Sequence, residues 1–232
     1  MSSSLPHPAP ECDPVPSPGP GFSLTEVLRA EPGDRKQSRS EATRQRLLVG
    51  AAEAMLSEGF NDLKVADICK RAGCAHGTFY LHWQDRRGVA HDVLTAFMQA
   101  IRTHRPVRRP GQNFYDRLVA GHMYYIDVYR RNVGLMRCQG QLSDHLEEFA
   151  RIGLEANMAL ARRVVRAVER EAGTAMPEDK QLLATALACI AMVDKLLHDV
   201  FVRGLDLGLD DSDLAETLSR TWHRALLGRD PG

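Results

Sequence analysis

Helical periodicity constrains the fold of this chain more than any other feature. Beyond residue 35, apolar side chains recur every three to four positions, most clearly from Leu47 to Leu56. No segment alternates apolar and polar residues as a half-buried strand would, and Gly or Pro residues separate the periodic runs. We therefore expect an all-α protein of about nine helices.

The first 34 residues have a different composition. Eight of the twelve prolines lie within the first 32 residues. Such a segment buries too little apolar surface to offset the entropy lost on ordering. We expect residues 1–34 to form a disordered Pro-rich tail, with at most a transient helical turn around Leu24 and Leu28.

Composition also indicates the compartment. The chain has no run approaching the ~18 apolar residues of a membrane helix, and its first residues lack the basic and apolar regions of a signal peptide. The five cysteines form no CxxC pair, which disfavours a disulfide framework and is typical of a reducing compartment. We expect a cytoplasmic protein without metal or cofactor.

The neutral total charge hides an uneven distribution. Thirty Lys and Arg residues balance thirty Asp and Glu residues over the whole chain. Residues 1–34 carry a net charge of −4, residues 35–109 carry +7, and residues 110–232 carry −3. A basic module between acidic segments is the asymmetry expected of a nucleic-acid-binding domain.

Capping and breaking residues divide the folded part of the chain in two. Ser38 and Glu41 have the spacing of a capping box, and Asp85 is a candidate N-cap. The Pro- and Gly-containing stretch 106–111 marks a boundary. We predict a helical head over 35–105 and a helical body over 111–232. Its five predicted helices are at about 112–130, 132–140, 143–172, 178–203 and 211–227.

The stretch 64–83 has the pattern of a helix-turn-helix. Two short helices, at about 65–72 and 76–82, are joined by Gly73, which tolerates the positive φ of a tight turn. Ile68 and Phe79 are expected to face the core. The second helix is left with side chains suited to base edges in the major groove: His76, Gly77, Thr78, Tyr80 and His82.

These motifs resemble the N-terminal domain of the TetR family of helix-turn-helix transcriptional regulators. The resemblance covers about residues 41–94 and rests on these motifs in order: Glu58-Gly59-Phe60, Asp67-Ile68, Arg71-Ala72-Gly73, Gly77-Thr78-Phe79-Tyr80, His82-Trp83 and Arg86. The chain departs from the family at Ala75, where Ser or Thr is usual, and over 87–89, where an acidic pair and Leu are usual. These departures affect the operator sequence more than DNA binding itself.

The resemblance implies a set of DNA contacts. Thr78, Tyr80, His82 and Arg86 would contact bases or backbone, with His76 and Gly77 at the leading edge of the recognition helix. Lys64 and Val65, at the start of the preceding helix, would contact phosphate. A basic arm would reach the neighbouring groove or the backbone, with ordinary solvation as the alternative; it consists of Arg35, Lys36, Arg39 and Arg44. The alternative for the aromatic and histidine side chains is a partly buried or solvated surface.

The resemblance also implies that the body binds a small effector. Met and aromatic side chains are common in adaptable apolar sites, although the same pattern is typical of ordinary core. The candidate ligand-binding residues are Met123, Tyr124, Ile126, Asp127, Tyr129, Met136, Phe149, Met158 and Met192. We expect a small, largely apolar effector.

In the resembled family the last two helices pair with those of a second subunit. Here both helices carry an apolar face that is broad for a monomer surface, with intramolecular core as the alternative. The candidate interface residues are Leu187, Ile190, Leu197, Phe201, Leu218 and Trp222. A two-fold homodimer would present two recognition helices about one DNA turn apart and predicts a near-palindromic operator.

The expected function is a ligand-responsive repressor that its effector releases from DNA. The alternatives are an activator, a redox-responsive regulator that uses Cys69 or Cys74, and a helical enzyme. The enzyme alternative is weak because the sequence has no HExxH motif and no Gly-rich phosphate loop. Ser143, Asp144 and His145 are adjacent in sequence, whereas the members of a catalytic triad converge from distant segments.

Overall fold

The structure is a computed structural model that describes residues 21–30, 38–173 and 180–231. Over these ranges it contains ten helices and no strand, which confirms the all-α prediction. The helices are α1 (Leu24–Ala30), α2 (Arg39–Ser57), α3 (Val65–Ala72), α4 (His76–Phe79), α5 (Arg86–Thr103), α6 (Phe114–Arg131), α7 (Val133–Ser143), α8 (Glu147–Ala172), α9 (Lys180–Phe201) and α10 (Asp211–Leu227).

The predicted caps set the helix starts in the head. Ser38 Oγ accepts from Glu41 N, and the Glu41 carboxylate accepts from Ser38 N at 2.8 Å, which forms the capping box at α2. Asp85 caps α5 by accepting from two first-turn amides. Helix α4 is shorter than predicted: its N-cap Ala75 makes no side-chain cap bond, and the chain continues in tight turns through His82.

The head packs α2, α3, α4 and α5 around one apolar centre. Phe79 and Ile68 are fully buried there, as the sequence predicts. Gly73 ends α3 with a φ of 64°, the conformation that the turn requires. Gly50 allows α2 and α3 to approach closely, because a Cβ at this position would lie 2.9 Å from Ile68 O.

The predicted disorder of residues 1–34 is wrong for residues 21–30. Phe22, Leu24 and Leu28 are buried against the head and body. Leu24 N donates to Asn132 Oδ1 at 2.9 Å, and Asn132 Nδ2 donates to Phe22 O at 2.7 Å. These three apolar side chains and their buried amide partner stabilise α1, which a prediction based on proline content misses. Residues 1–20 and 31–34 lie outside the described residues.

The body consists of α6 to α10, with α6 against α10 and α8 against α9. It meets the head where α7 crosses the end of α2. At this crossing the two backbones touch at Gly134, where a Cβ would lie 2.2 Å from Leu56 O and 2.6 Å from Leu56 Cα. The position of the body relative to the head therefore depends on the absence of a side chain at residue 134.

Within the parts of the chain that the structure describes, no helix is both long and apolar enough to cross a membrane. In the same ranges no three His, Cys, Asp or Glu side chains are placed to hold a metal ion together.

We expect Gly134→Ala to destabilise the protein strongly. Alanine normally favours a helix over glycine, but here the added methyl overlaps backbone that cannot rotate away, and overpacking of this kind costs about 1–3 kcal/mol. The measurement is the free energy of unfolding in urea. Gly140→Ala, on the same helix with nothing within 4 Å of its Cβ, is the matched control and should be neutral or stabilising. Equal stability of both variants would contradict the close contact.

Candidate DNA interface and effector cavity

The exposed surface of the helix-turn-helix runs from His76 to Leu81. His76 and Gly77 are exposed at the start of α4, and Tyr80 and Leu81 follow with exposures of 51% and 80%. The Tyr80 ring lies edge-on to the rings of His76 and Phe79, each at a centroid distance of 5.4 Å. Because Phe79 is fully buried, it anchors this surface and holds the Tyr80 ring in a defined position.

The remaining predicted contacts of the motif are less exposed. Thr78 and His82 are half-buried, and the His82 ring lies 5.7 Å from that of Trp83. Lys64 is exposed immediately before α3, whereas Val65 is half-buried against the head core. The structure therefore brings Lys64 to the surface but gives Val65 a packing role as well.

Two predicted DNA-contacting arginines have partners inside the head. Arg86 Nη1 donates to Asn61 O at 2.9 Å and to Leu63 O at 3.2 Å, and its guanidinium stacks on the Phe60 ring. It therefore closes the loop between α2 and α3, and a contact of Arg86 with DNA stays a prediction.

Arg44 is held in a similar way. It pairs with Asp92 and lies over the Trp83 ring at 4.9 Å, while the Trp83 indole donates to the same Asp92 carboxylate. Arg44 therefore links α2 to α5, and its role in a basic arm stays a prediction. Arg39 is exposed in the first turn of α2, and Arg35 and Lys36 lie outside the described residues.

Sequence reasoning missed Leu81 and Arg87. Both are exposed and flank predicted contact residues. A leucine between Tyr80 and His82 would normally be assigned to the core, and only the turn after α4 places it outward. In the sequence, the position of Leu81 within an otherwise polar stretch was the feature that could have indicated its exposure.

The cysteines at the turn have different environments. Cys69 is buried and Cys74 is half-buried, and both are free thiols. Burial, followed by the proximity of Cys74, raises the pKa of the Cys69 thiol. Since the thiolate is the reactive form, this environment disfavours the redox-responsive alternative.

A cavity of about 300 Å³ lies inside the body. Its wall comes from the end of α5 and the following loop, the first half of α6, and the facing sides of α8, α9 and α10. Most of the wall is apolar, and arginines line part of it. A volume of this size is at the lower end of the range of about 300–1,000 Å³ for small-molecule sites.

Of the nine predicted ligand-binding residues, only Tyr124 lines this cavity. The other eight lie outside its lining, in the packed core, in ion pairs or at the outer surface, and a ligand contact by any of them stays a prediction. Ile126, Met136 and Phe149 are buried elsewhere in the core. Tyr129 stacks on Phe201.

The other four predicted ligand-binding residues, which also lie outside the cavity lining, differ in exposure. Asp127 accepts from Gly21 N and pairs with Arg131. Met192 is exposed, and Met123 and Met158 are half-buried away from the lining. On α6 the lining includes Leu118, Gly121, His122, Tyr124 and Tyr125, whereas Met123, Ile126, Asp127 and Tyr129 lie on other sides of the helix.

The polar groups of the cavity wall are paired with each other. The Tyr125 hydroxyl donates to Asp194 Oδ1 at 2.8 Å, and burial raises the pKa of that carboxyl. His122 Nδ1 lies 2.8 Å from Ser219 Oγ, and burial lowers the pKa of this histidine to about 4. His122 is therefore neutral near pH 7.

Most of the predicted dimer residues are buried within this chain. Ile190, Leu197, Leu218 and Trp222 are at most 6% exposed, and two of them, Ile190 and Trp222, line the cavity. This finding corrects their assignment to an intersubunit surface. Leu187 and Phe201 are half-buried. The exposed stripe of α9 consists instead of Ala184, Ala188, Ala191, Met192 and Lys195.

Part of the head matches a known protein family. Residues 47–93 match the family of bacterial regulatory proteins called the tetR family. A curated relative, the uncharacterized HTH-type transcriptional regulator YdgC of Bacillus subtilis, is 28% identical over 121 residues. That match spans 52% of this chain and 57% of the relative.

Solved structures resemble the whole fold. A tetR-family transcriptional regulator from Streptomyces coelicolor superimposes with a TM-score of 0.70 at 12% identity, covering 81% of this chain and 82% of that chain. The fatty acid degradation regulator FadR from Bacillus halodurans gives 0.60 at 15% identity, covering 81% of this chain and 96% of that chain. At these identities the likeness establishes the fold alone. Residues 47–93 are therefore similar to the tetR family of bacterial regulatory proteins, and the described part of the chain has the fold of solved tetR-family regulators.

Proposed function

We propose that this protein is a homodimeric repressor that binds a near-palindromic operator and releases it when a small effector fills the cavity. The DNA-binding part of this proposal is supported by the exposed surface from His76 to Leu81. This surface surrounds the buried Phe79 in a domain that is similar to the tetR family. A repressor of this kind works in the cytoplasm, where its operator is.

The exposed residues divide into two groups by chemistry. His76, Gly77, Tyr80 and Leu81 would approach base edges, and the apolar Leu81 is suited to the methyl group of thymine. Lys64, Arg39 and Arg87 would bind phosphates and set the position of the domain on the duplex. Arg44 and Arg86 support the surface from inside the head.

Two observations favour a homodimer through α9 and α10. The exposed alanines at 184, 188 and 191 lie on one side of α9, and small side chains allow a partner helix to approach closely. The following loop also exposes Leu205, Leu207 and Leu209. A second copy would cover these apolar side chains and place the two heads as a two-fold pair.

Two connections between the body and the head would transmit the effect of the ligand. Helix α5 begins in the head and ends at Ile101 and Arg102 in the cavity wall, over 18 residues or about 27 Å. Helix α7 touches the end of α2 at Gly134. A ligand that binds more tightly when the two heads have a spacing that does not match the operator would lower the affinity for DNA. By the same coupling, DNA would lower the affinity for the ligand by an equal factor.

Activation is the alternative that shares this structure. It differs in the sign of the coupling, because an activator would bind DNA more tightly, or stimulate transcription, when the effector is bound. Deleting the gene separates the two: expression of a target should rise for a repressor and fall for an activator.

We expect Tyr80→Ala to weaken specific DNA binding by tenfold or more, because a good base contact contributes about 1–3 kcal/mol. The measurement is fluorescence anisotropy, at fixed salt, with DNA enriched by this protein from a random-sequence pool. Leu154→Ala, which also truncates an exposed apolar side chain (68% exposed) but lies on α8, should bind like the unsubstituted protein. Unchanged affinity of Tyr80→Ala would count against the proposed surface.

We expect the chain to sediment at about twice its mass of 25.8 kDa. Ala188→Glu should shift the equilibrium toward the monomer, since it places a charge in the middle of the proposed interface. Ala66→Glu, at an exposed alanine on α3, should leave the mass unchanged. A monomeric unsubstituted protein, or a dimer that Ala188→Glu does not weaken, would contradict the α9 interface.

A further inference from the structure

Arginines are concentrated on the wall of the cavity. Six line it: Arg102, Arg105, Arg108, Arg117, Arg163 and Arg170. Arg117 pairs with Glu171 at 3.4 Å. The other five have no ion-pair partner among the residues that the structure describes. Among the described residues, five of the six arginines that line the cavity therefore have no acidic partner; of these five, Arg105 is half-buried and the other four are exposed.

Burial and neighbouring positive charges lower the pKa of two of these arginines. Burial, followed by the proximity of Arg163, lowers the pKa of Arg105. Burial, followed by repulsion from Arg170 and Arg166, lowers the pKa of Arg163. A guanidinium that is partly removed from water and faces other cations is unfavourable without a counter-ion. An anion bound between Arg105 and Arg163 would relieve both costs.

The cationic groups and the other polar groups occupy different ends of the cavity. The Arg117–Glu171 pair shows that the start of α6 lies beside the end of α8. Tyr125, eight residues or about 12 Å further along α6, meets Asp194, which also accepts from Asn157 near the middle of α8. The only acidic side chain that lines the cavity in the described ranges is thus at the end away from Arg117 and Arg170.

Apolar side chains form the wall between these ends. They are Met98, Leu118, Leu160, Val164, Ile190 and Val193. A charged molecule without an apolar part would leave this wall in contact with water, and a wholly apolar molecule would leave the arginines unpaired. Neither matches the cavity as well as a molecule that has both parts.

We propose that the cavity binds an amphipathic anion, an elongated apolar molecule with a carboxylate or phosphate at one end, held by Arg105 and Arg163. This proposal rests on the proposed function, in which the same cavity is the effector site. It replaces the largely apolar effector expected from the sequence.

Trp222 is placed both to contact a ligand in the cavity and to report its binding by fluorescence. It is 6% exposed and lines the cavity, and its Nε1–H donates to no acceptor among the described residues. A buried donor without a partner is unfavourable, so an oxygen of the ligand near this indole would add to binding. Because the chain has only two tryptophans, ligand entry should also change the intrinsic fluorescence.

The test compares four ligands that share one ten-carbon chain: decanoate, decyl phosphate, decanol and decylamine. Each is titrated into the full-length protein without DNA, below the concentration at which it aggregates, with Trp fluorescence and calorimetry as readouts. Decanoate or decyl phosphate should bind at least tenfold more tightly than decanol, and decylamine should bind most weakly. The tighter of the two anions identifies the headgroup as a carboxylate or a phosphate.

Two variants test the proposed anion site. Arg105→Gln and Arg163→Gln should each weaken binding of the preferred anion about tenfold and leave decanol binding unchanged. Arg162→Gln, also exposed and adjacent to Arg163 on α8 but outside the cavity lining, is the matched control and should bind like the unsubstituted protein. Thermal melting of each variant checks that the fold is intact.

Three results would overturn the proposal: no saturable binding of either anion, decanol binding as tightly as both anions, or unchanged anion binding in Arg105→Gln and Arg163→Gln. The proposed function fails differently. If the anion binds as described but does not change the affinity for DNA, the ligand class stands and the role of the cavity as an effector site does not.

Discussion

The contact between Gly134 and the backbone of Leu56 is the constraint on which the arrangement of this protein depends. It joins α7 of the body to the end of α2 in the head at a distance that excludes any side chain. Helix α5 provides the second connection, and α1 adds a third, because its backbone binds Asn132 at the junction of α6 and α7. The cavity and the proposed DNA-binding surface are therefore linked by packed contacts between the head and the body.

The distribution of charge agrees with the two anionic partners proposed for this neutral chain. The positive charge of residues 35–109 accompanies a surface on which Tyr80 and Leu81 face outward. In the same segment, Arg44 and Arg86 are used to hold the head together. A second group of arginines surrounds the cavity, where the observed geometry favours an amphipathic anion over the apolar effector that Met and aromatic content suggested.

Local chemistry made much of the fold predictable from the sequence. Helical spacing, the Ser38–Glu41 capping box, the Asp85 cap and the positive φ of Gly73 each depend on neighbouring residues, and the structure contains all four. Helix α1 was missed because its partner Asn132 is more than 100 residues away. The cavity lining was mostly missed for a related reason: only the packing of α6 against α8, α9 and α10 decides which side chains face inward.

A linkage titration is the most direct test of the proposed coupling between the cavity and the DNA-binding surface. The dissociation constant for DNA enriched from a random-sequence pool is measured across a series of decanoate concentrations, and the constant for decanoate is measured with and without saturating DNA. We expect decanoate to weaken DNA binding, and DNA to weaken decanoate binding by the same factor. A DNA affinity that stays constant while decanoate saturates the cavity would contradict the proposed coupling.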